Sequence, residues 1–300
     1  MNKKKVIVIC GPTASGKTSL GIQIANLING EIISADSMQI YKDMDIGSAK
    51  PTKEERMQAV HHLIDFVDPD KRYSVADFKK DAENKIKEIL EKNKIPIIVG
   101  GTGLYVNSLI YNIHYNEIKT DLEYRKSLEN VDVEELYKMA EKIDSVALKK
   151  IALTDRKRIS RILEIYYSTG KTKTELEKES RHEPEYDYKV FVLNMDRQKL
   201  YDRINLRVDL MIENGLVDEV KNMIKKYSEF PTAMQGLGYK EIVDYLNGNC
   251  SINDAIEKIK LETRRYAKRQ LTWFRSYNDA TWIESGNPEN IDIILNSLKE

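Results

Sequence analysis

The stretch "GPTASGKT", Gly11 to Thr18, constrains this chain more than any other. It follows the apolar run Val6–Cys10 and opens a helical pattern. The spacing G-x-x-x-x-G-K-[ST] therefore stands in the strand–turn–helix setting that gives the motif its meaning. Such a loop turns backbone N–H groups and a helix N-terminus towards one point, which suits an anion. Gly11, Pro12, Thr13, Ala14, Ser15 and Gly16 are expected to form the cradle. Lys17 is expected to pair with phosphate oxygens, and Thr18 to help hold Mg²⁺. The motif commits the start of the chain to a parallel sheet with helices on its faces. It leaves open what the phosphate is for.

The same alternation continues beyond the loop. "KVIVIC", "EIISA" and "IPIIVGG" read as strands. Helical spacing runs from Lys17 to Asn29, where Gly30 stops it, and from Val75 to Lys94 behind a capping box of Ser74 and Asp77. From about Ile113 the texture changes. Residues 117–180 carry helical periodicity, many charges and no strand, and then Tyr188–Met195 returns as a strand. This pattern predicts a core of residues 1–112 and 186–300, interrupted by a helical insertion of residues 113–185. The remainder reads as helices over Arg197–Tyr227, Tyr239–Leu246 and Ile252–Tyr277, with "ATWIES" as a late strand. The expected fold is α/β: a P-loop parallel sheet flanked by helices, an inserted all-helical subdomain and a helical C-terminal part.

Composition removes some function classes. Forty-eight Lys and Arg balance forty-eight Asp and Glu, so global charge gives no argument for a polyanionic partner. Only local clusters can supply one. Two cysteines, Cys10 and Cys250, are too few for a disulfide framework and point to a reduced, cytoplasmic setting. The opening "MNKKKVIVICGP" imitates a signal peptide, but its apolar run ends after five residues in a glycine-rich turn. No segment is long enough to span a bilayer, so no membrane partner is expected.

A P-loop nucleotidase holds its metal with an acid at the end of a second strand. "IPIIVGGTGLY" offers glycines and Thr102 there instead. The acid that stands at a strand end is Asp36, in "IISADSMQIY". Ligands of such sheets bind at the carboxyl ends of the strands, so Asp36, Thr102 and the loop should share one crevice. A carboxylate beside a phosphate cradle can orient or deprotonate an acceptor. Asp36 equally suits a helix cap, Gly100–Gly103 a tight turn, and a nucleotide or small-molecule kinase would use the same parts. Two basic clusters bear on the partner: "DRKRISRILEIYYSTGKTK" and "ETRRYAKRQLTWFR". In the second, Arg264 with Lys268 and Arg265 with Arg269 are like-charge pairs one turn apart, a cost that a polyanion would offset. A solvated face paired with nearby acids is the plain alternative. The clusters and their interleaved tyrosines and Trp273 tilt towards RNA. His61–His62 lacks any metal-ligand spacing, Cys10 reads as an inert strand residue, and Tyr166–Tyr167 read as packing.

Taken together, "GPTASGKT", "ISADSMQIYKDMDIGSAKP", "VGGTGLYVNSLIYN", "RKRISRILEIYYSTGKT", "GLGYKE" and "AKRQLTWFR" closely resemble the bacterial tRNA dimethylallyltransferases over nearly the whole chain. The resemblance implies transfer of a dimethylallyl group from its diphosphate to N6 of adenine 37, beside the anticodon. It implies that Gly11–Thr18 and Arg207 hold the donor diphosphate with Mg²⁺ as cofactor, and that Asp36 is the base on the adenine amine. Ser37, Met38 and Gln39 would read the extruded base, and Thr102 would line the reaction channel. Arg125, the run Lys157, Arg158, Ile159, Ser160 and Arg161, and the run Gln235, Gly236, Leu237, Gly238, Tyr239 and Lys240 would touch the tRNA anticodon stem-loop. A cytoplasmic monomer is implied. One departure stands out: "ALTD", Ala152–Asp155, replaces the His-Pro-Asn-Asp common in the family. It bears on the loop contacts of the insertion and not on the chemistry.

Overall fold

A computed structural model describes residues 3–115, 121–149 and 151–299. The chain divides into two compact units, Met1–Ile110 with Pro184–Glu300, and Tyr111–Glu183.

The first unit is built on β1 (Lys5–Cys10), β2 (Gly30–Ser34), β3 (His61–His62), β4 (Ile95–Gly100), β5 (Asp187–Asn194) and β6 (Thr281–Glu284). Among the described residues these form one sheet in the order β3-β2-β4-β1-β5-β6, parallel throughout. Val6, Ile7, Val8 and Ile9 are wholly buried, because helices cover both faces of a parallel sheet and alternation is lost. In the first unit the helices are α1 (Lys17–Leu27), α2 (Lys53–Gln58), α3 (Val75–Glu91) and α4 (Gly103–Ile110). The second unit supplies α5 (Leu122–Glu129), α6 (Val133–Leu148), α7 (Arg156–Thr169) and α8 (Lys173–Glu179). The first unit then resumes with α9 (Arg197–Glu213), α10 (Leu216–Lys226), α11 (Tyr239–Leu246), α12 (Ile252–Phe274) and α13 (Asn290–Ser297). The capping box of Ser74 and Asp77 forms, and "ATWIES" does add an edge strand beside β5. No helix among the described residues is long and apolar enough to cross a membrane.

The structure departs from the sequence expectation in three places. Asn29, at φ +51°, turns the chain out of α1, while Gly30 opens β2. Glycine is needed at 30 for another reason: a Cβ there would lie 2.9 Å from Ile95 O on the neighbouring strand. Arg197–Tyr227 is two helices, because Gly215 sits at φ +97° between α9 and α10. His61–His62 form a short edge strand that two residues of sequence cannot announce. His62 Nε2 lies 2.7 Å from Glu31 Oε2, and Lys94 Nζ is 2.7 Å from Glu31 Oε1. These partners hold the buried Glu31 carboxylate down at about 2 against the opposing effect of burial.

The second unit has its own core of Leu128, Leu136, Ala140, Leu148, Ile159, Ile162 and Leu163. Its α6 bends at Asp144, whose buried carboxylate accepts hydrogen bonds from Ala147 N, Thr174 N and Thr174 Oγ1. Within the predicted helical span 117–180, residues 117–120 and 150 lie outside the described residues.

Candidate active site

The carboxyl ends of β1, β2 and β4 open into a cavity of about 400 Å³, which α9, the turn before α11 and α12 also wall. Each side chain of the site owes its place to local backbone geometry.

The phosphate loop is shaped by close approach. Gly11, at φ +147°, passes so near β5 that a Cβ would lie 2.8 Å from Leu193 O. Gly16, at φ +87°, starts α1. Ser15 Oγ donates to Pro12 O at 2.8 Å, and Ser285 Oγ donates to Ser15 O at 2.5 Å, so the loop is braced from within and from the residue that follows β6. Thr13, Lys17 and Thr18 line the cavity, whereas Gly11, Pro12, Ala14, Ser15 and Gly16 form the backbone behind them. Lys17 Nζ donates to Pro12 O at 2.6 Å. Burial first, and then the Arg207 guanidinium, pull this ammonium down to about 8. Arg207 reaches the same place from α9 and donates from Nη1 to Thr13 Oγ1 at 3.3 Å. Burial lowers it too.

Asp36 follows β2, and no helix starts there. Its Oδ1 accepts from Met38 N at 2.9 Å and Gln39 N at 3.4 Å, closing a turn. The same residue lines the cavity with Ser37, Met38 and Gln39. The Gln39 amide is held at both ends, by Ser34 Oγ at 3.1 Å and by Ala49 O at 3.2 Å. Thr102 is partly exposed and directly follows Gly101 of the cavity wall. Its hydroxyl accepts from Ser37 N at 3.0 Å, beside Asp36, while its own N–H reaches Ala35 O at 3.2 Å. It braces the Asp36 turn. Gly100 must be glycine for this contact, since a Cβ would lie 2.1 Å from Ala35 O.

On the far wall, Gln235, Gly236, Leu237 and Lys240 face the cavity. Tyr239 does not. It is fully buried, its ring against Gly47 and its hydroxyl donating to Glu219 Oε1 at 2.7 Å. Glu219 in turn accepts from the backbone N–H groups of Asp45, Ile46 and Gly47 at 2.9, 2.7 and 3.1 Å. Gly238, at φ +93°, serves to start α11. Tyr239 and Gly238 therefore shape the wall from behind and present no side chain to RNA.

Sequence reasoning missed the contribution of α12. Thr263, Tyr266, Arg269 and Gln270 all line the cavity. The signal was present as a stripe at 263, 266 and 270, one helix face, but the cationic positions between them drew the reading. Of those cations Arg269 faces the cavity, whereas Arg264 Nη1 donates to Asn205 Oδ1 at 2.5 Å and Arg265 Nη1 to Glu262 Oε1 at 2.7 Å. Trp273 Nε1 donates to Asn107 Oδ1 at 3.2 Å. Among the cavity-lining residues Lys17, Arg207, Lys240 and Arg269 are cations, and Asp36 is the single carboxylate. Such a lining attracts an anion and keeps one base beside it.

In the helical unit, Asp155 caps α7 and pairs with Arg158 at 3.4 Å. Arg125 grips Glu164 with Nε at 2.9 Å and Nη2 at 2.7 Å, and Arg161 Nη1 adds a third contact at 3.1 Å. Lys157 is exposed, Ser160 is partly so, and Ile159 is wholly buried in the helical core, which removes it as an RNA contact. Tyr166 and Tyr167 are exposed, and Tyr167 stacks on Tyr124 at 3.9 Å. Cys10 is buried, its thiol pushed up to about 12 by desolvation, as an inert residue should be.

The sequence profile of the family described as IPP transferase matches residues 39–277, and that of the isopentenyl transferases matches residues 4–68. A tRNA dimethylallyltransferase of Acetivibrio thermocellus is 50% identical over 98% of this chain and 96% of its own. A solved tRNA isopentenylpyrophosphate transferase of Bacillus halodurans shares 42% identity, covers 99% of this chain and 96% of its own, and superposes with a TM-score of 0.75. A eukaryotic dimethylallyltransferase captured acting on tRNA shares 33% identity over 98% of this chain and 78% of its own, with a TM-score of 0.82. With matches spanning both the phosphate loop and the Asp36 wall, the chain belongs to the IPP transferase family, the family of the tRNA dimethylallyltransferases.

Proposed function

We propose that this chain transfers a dimethylallyl group from dimethylallyl diphosphate to N6 of adenine 37 in tRNA. The observation that carries the reading is a single carboxylate, Asp36, facing a cavity that also holds the phosphate loop and several cations. The diphosphate is then a leaving group. N6 attacks the allylic carbon as the bond from that carbon to the diphosphate oxygen breaks, and the N6 proton passes to Asp36. Lys17, Arg207 and the loop N–H groups stabilise the charge that develops on the departing oxygens. No phosphoryl group moves, so the acid that a nucleotidase keeps at its second strand is not needed. The adenine must leave the anticodon stack, at a cost of roughly a few kcal/mol. Ser37, Met38, Gln39, Gln235, Gly236, Leu237 and Lys240 surround the space it would enter.

Mg²⁺ fits this donor set. The Thr18 hydroxyl faces the cavity, and the described residues provide no group of three His, Cys, Asp or Glu side chains to cage a metal. The ion would be held by Thr18, the diphosphate and its own waters, and would neutralise leaving-group charge. The helical unit, with Arg125, Lys157, Arg158, Ser160 and Arg161, would bind the tRNA stem-loop. A monomer is part of this proposal, and the tRNA acceptor with two free cysteines supports the cytoplasm.

The test is direct. Purified protein, Mg²⁺, labelled dimethylallyl diphosphate and unmodified tRNA should yield label in RNA at adenine 37. ATP turnover without any need for RNA would instead point to a kinase.

A further inference from the structure

The ladder between β1 and β4 ends with Cys10 opposite Gly100. Beyond it the chain splits into the phosphate loop on one side and the Gly101–Thr102 turn on the other. Gln270, on α12, joins them. Its side chain is 6% exposed. Oε1 accepts from Thr13 N at 2.8 Å, and Nε2 donates to Gly101 O at 2.8 Å. The orientation of this amide is fixed by its partners, because one is a donor and the other an acceptor. Glutamate could satisfy only Thr13, and methionine, of similar length, neither. Gly101 is part of the fit: a Cβ there would lie 2.3 Å from Nε2. Both ends of the bridge lead to reacting groups. Thr13 is also held by Arg207 through its hydroxyl. Gly101 precedes Thr102, which holds Ser37 and Ala35 on either side of Asp36. Tyr266, one turn earlier on α12, lines the same cavity as Gln270.

We propose that Gln270 is a positioning residue. It sets the distance between the diphosphate cradle and the Asp36 turn, acting through Thr13 and Gly101, so that N6 and the allylic carbon meet in line. The proposal rests on the transfer reaction above. Misplacing reacting groups by about 1 Å costs on the order of 10²-fold in rate. Loss of the bridge should therefore slow the chemical step more than it weakens either substrate.

The experiment uses the full chain with Mg²⁺, dimethylallyl diphosphate and unmodified tRNA. It compares wild type, Gln270→Met and Gln270→Glu by single-turnover rate with both substrates saturating, and by the separate dissociation constants of donor and tRNA. In Gln270→Met the rate should fall roughly 10- to 100-fold while each dissociation constant stays within about threefold. Gln270→Glu keeps the bond from Thr13 but sets a carboxylate against Gly101 O, and it should be slow as well. A space-filling role would be rescued by methionine, so a Met variant at the wild-type rate overturns the proposal. Affinities that fall in step with the rate overturn it too. If the Met variant does not fold, the Glu variant is judged by the same two criteria. A wild type that moves no label into tRNA overturns the functional reading beneath, a result distinct from an active wild type matched by its variants.

Discussion

The cations of the cavity and those of the helical unit are arranged in opposite ways. In the helical unit Arg125, Arg158 and Arg161 each hold a carboxylate, and Glu164 lies buried between two of them with its acidity strengthened. In the cavity Lys17, Arg207 and Arg269 have no ion-pair partner among the described residues, and only Lys240, on the far wall, has one, Glu241 at 3.4 Å. The lowered pKa values of Lys17 and Arg207 record what their burial costs. Unpaired cations gathered around one cavity suit an arriving anion. The helical unit shows the milder arrangement: partly exposed pairs, weak in themselves, that hold the arginines in place. Formal neutrality of the whole chain hides this division.

The sharpest way to break the comparison is to remove the one carboxylate that faces the cavity cations. Asp36→Asn keeps the oxygen that accepts from Met38 N and Gln39 N, so the turn should survive. Transfer should slow by about 10²- to 10⁴-fold, with donor and tRNA affinity within about tenfold of wild type. Single-turnover rates at saturation decide it, and a rate near wild type would reduce Asp36 to a turn cap.

Lys17→Ala should slow transfer by on the order of 10²-fold and weaken donor binding, leaving tRNA affinity alone. A pH series probes the same charge without mutation. Lys17 falls from 10.5 to about 8, so its ammonium is present below about pH 8 and lost above it. Bound diphosphate favours the charged form. Donor affinity should thus be flat up to about pH 8 and then fall by up to roughly tenfold per unit. For the empty protein the sign is reversed: from pH 8 to 10.5 the unfolded chain holds the extra proton, so this group adds stability as pH rises. Calorimetric titration of the donor at pH 7 and pH 9 checks the first part. Equal affinities would mean that Lys17 does not carry the binding.

Replacing Arg158 and Arg161 together with Ala should weaken tRNA binding equally for all sequences and flatten its salt dependence by roughly two counter-ions. A line of binding against salt that overlays wild type would leave these arginines as a solvated, acid-paired face. Smallest in functional terms, Ile159→Ala should destabilise the helical unit by about 2–5 kcal/mol, seen by thermal melting, while donor binding is unchanged. Loss of donor affinity in this variant would contradict the separate core of that unit.

Much of the site's frame was legible in the sequence because it rests on local rules. A phosphate loop needs its glycines, lysine and threonine at fixed spacing, the central strands declare themselves by unbroken apolar runs, and Ser74 with Asp77 makes a capping box within one turn of chain. Asp36 was found because strand ends are where such sheets bind ligands. What the sequence could not decide is which side chains satisfy one another across long separations. Thr102 turned out to hold Ser37 beside Asp36, and Tyr239 to face Glu219 and the close backbone at Gly47. Ile159 is core, while its neighbour Arg158 is exposed and acid-paired. Gln270 is the clearest case. Nothing local marks one glutamine in a basic helix, and its meaning lies in Thr13 and Gly101, 257 and 169 residues away. Periodicity and motif spacing are properties of neighbouring residues, and so they can be read in one dimension. The pairing of a buried donor with its acceptor is settled only when the chain has closed around both, and that is what the tertiary structure decided.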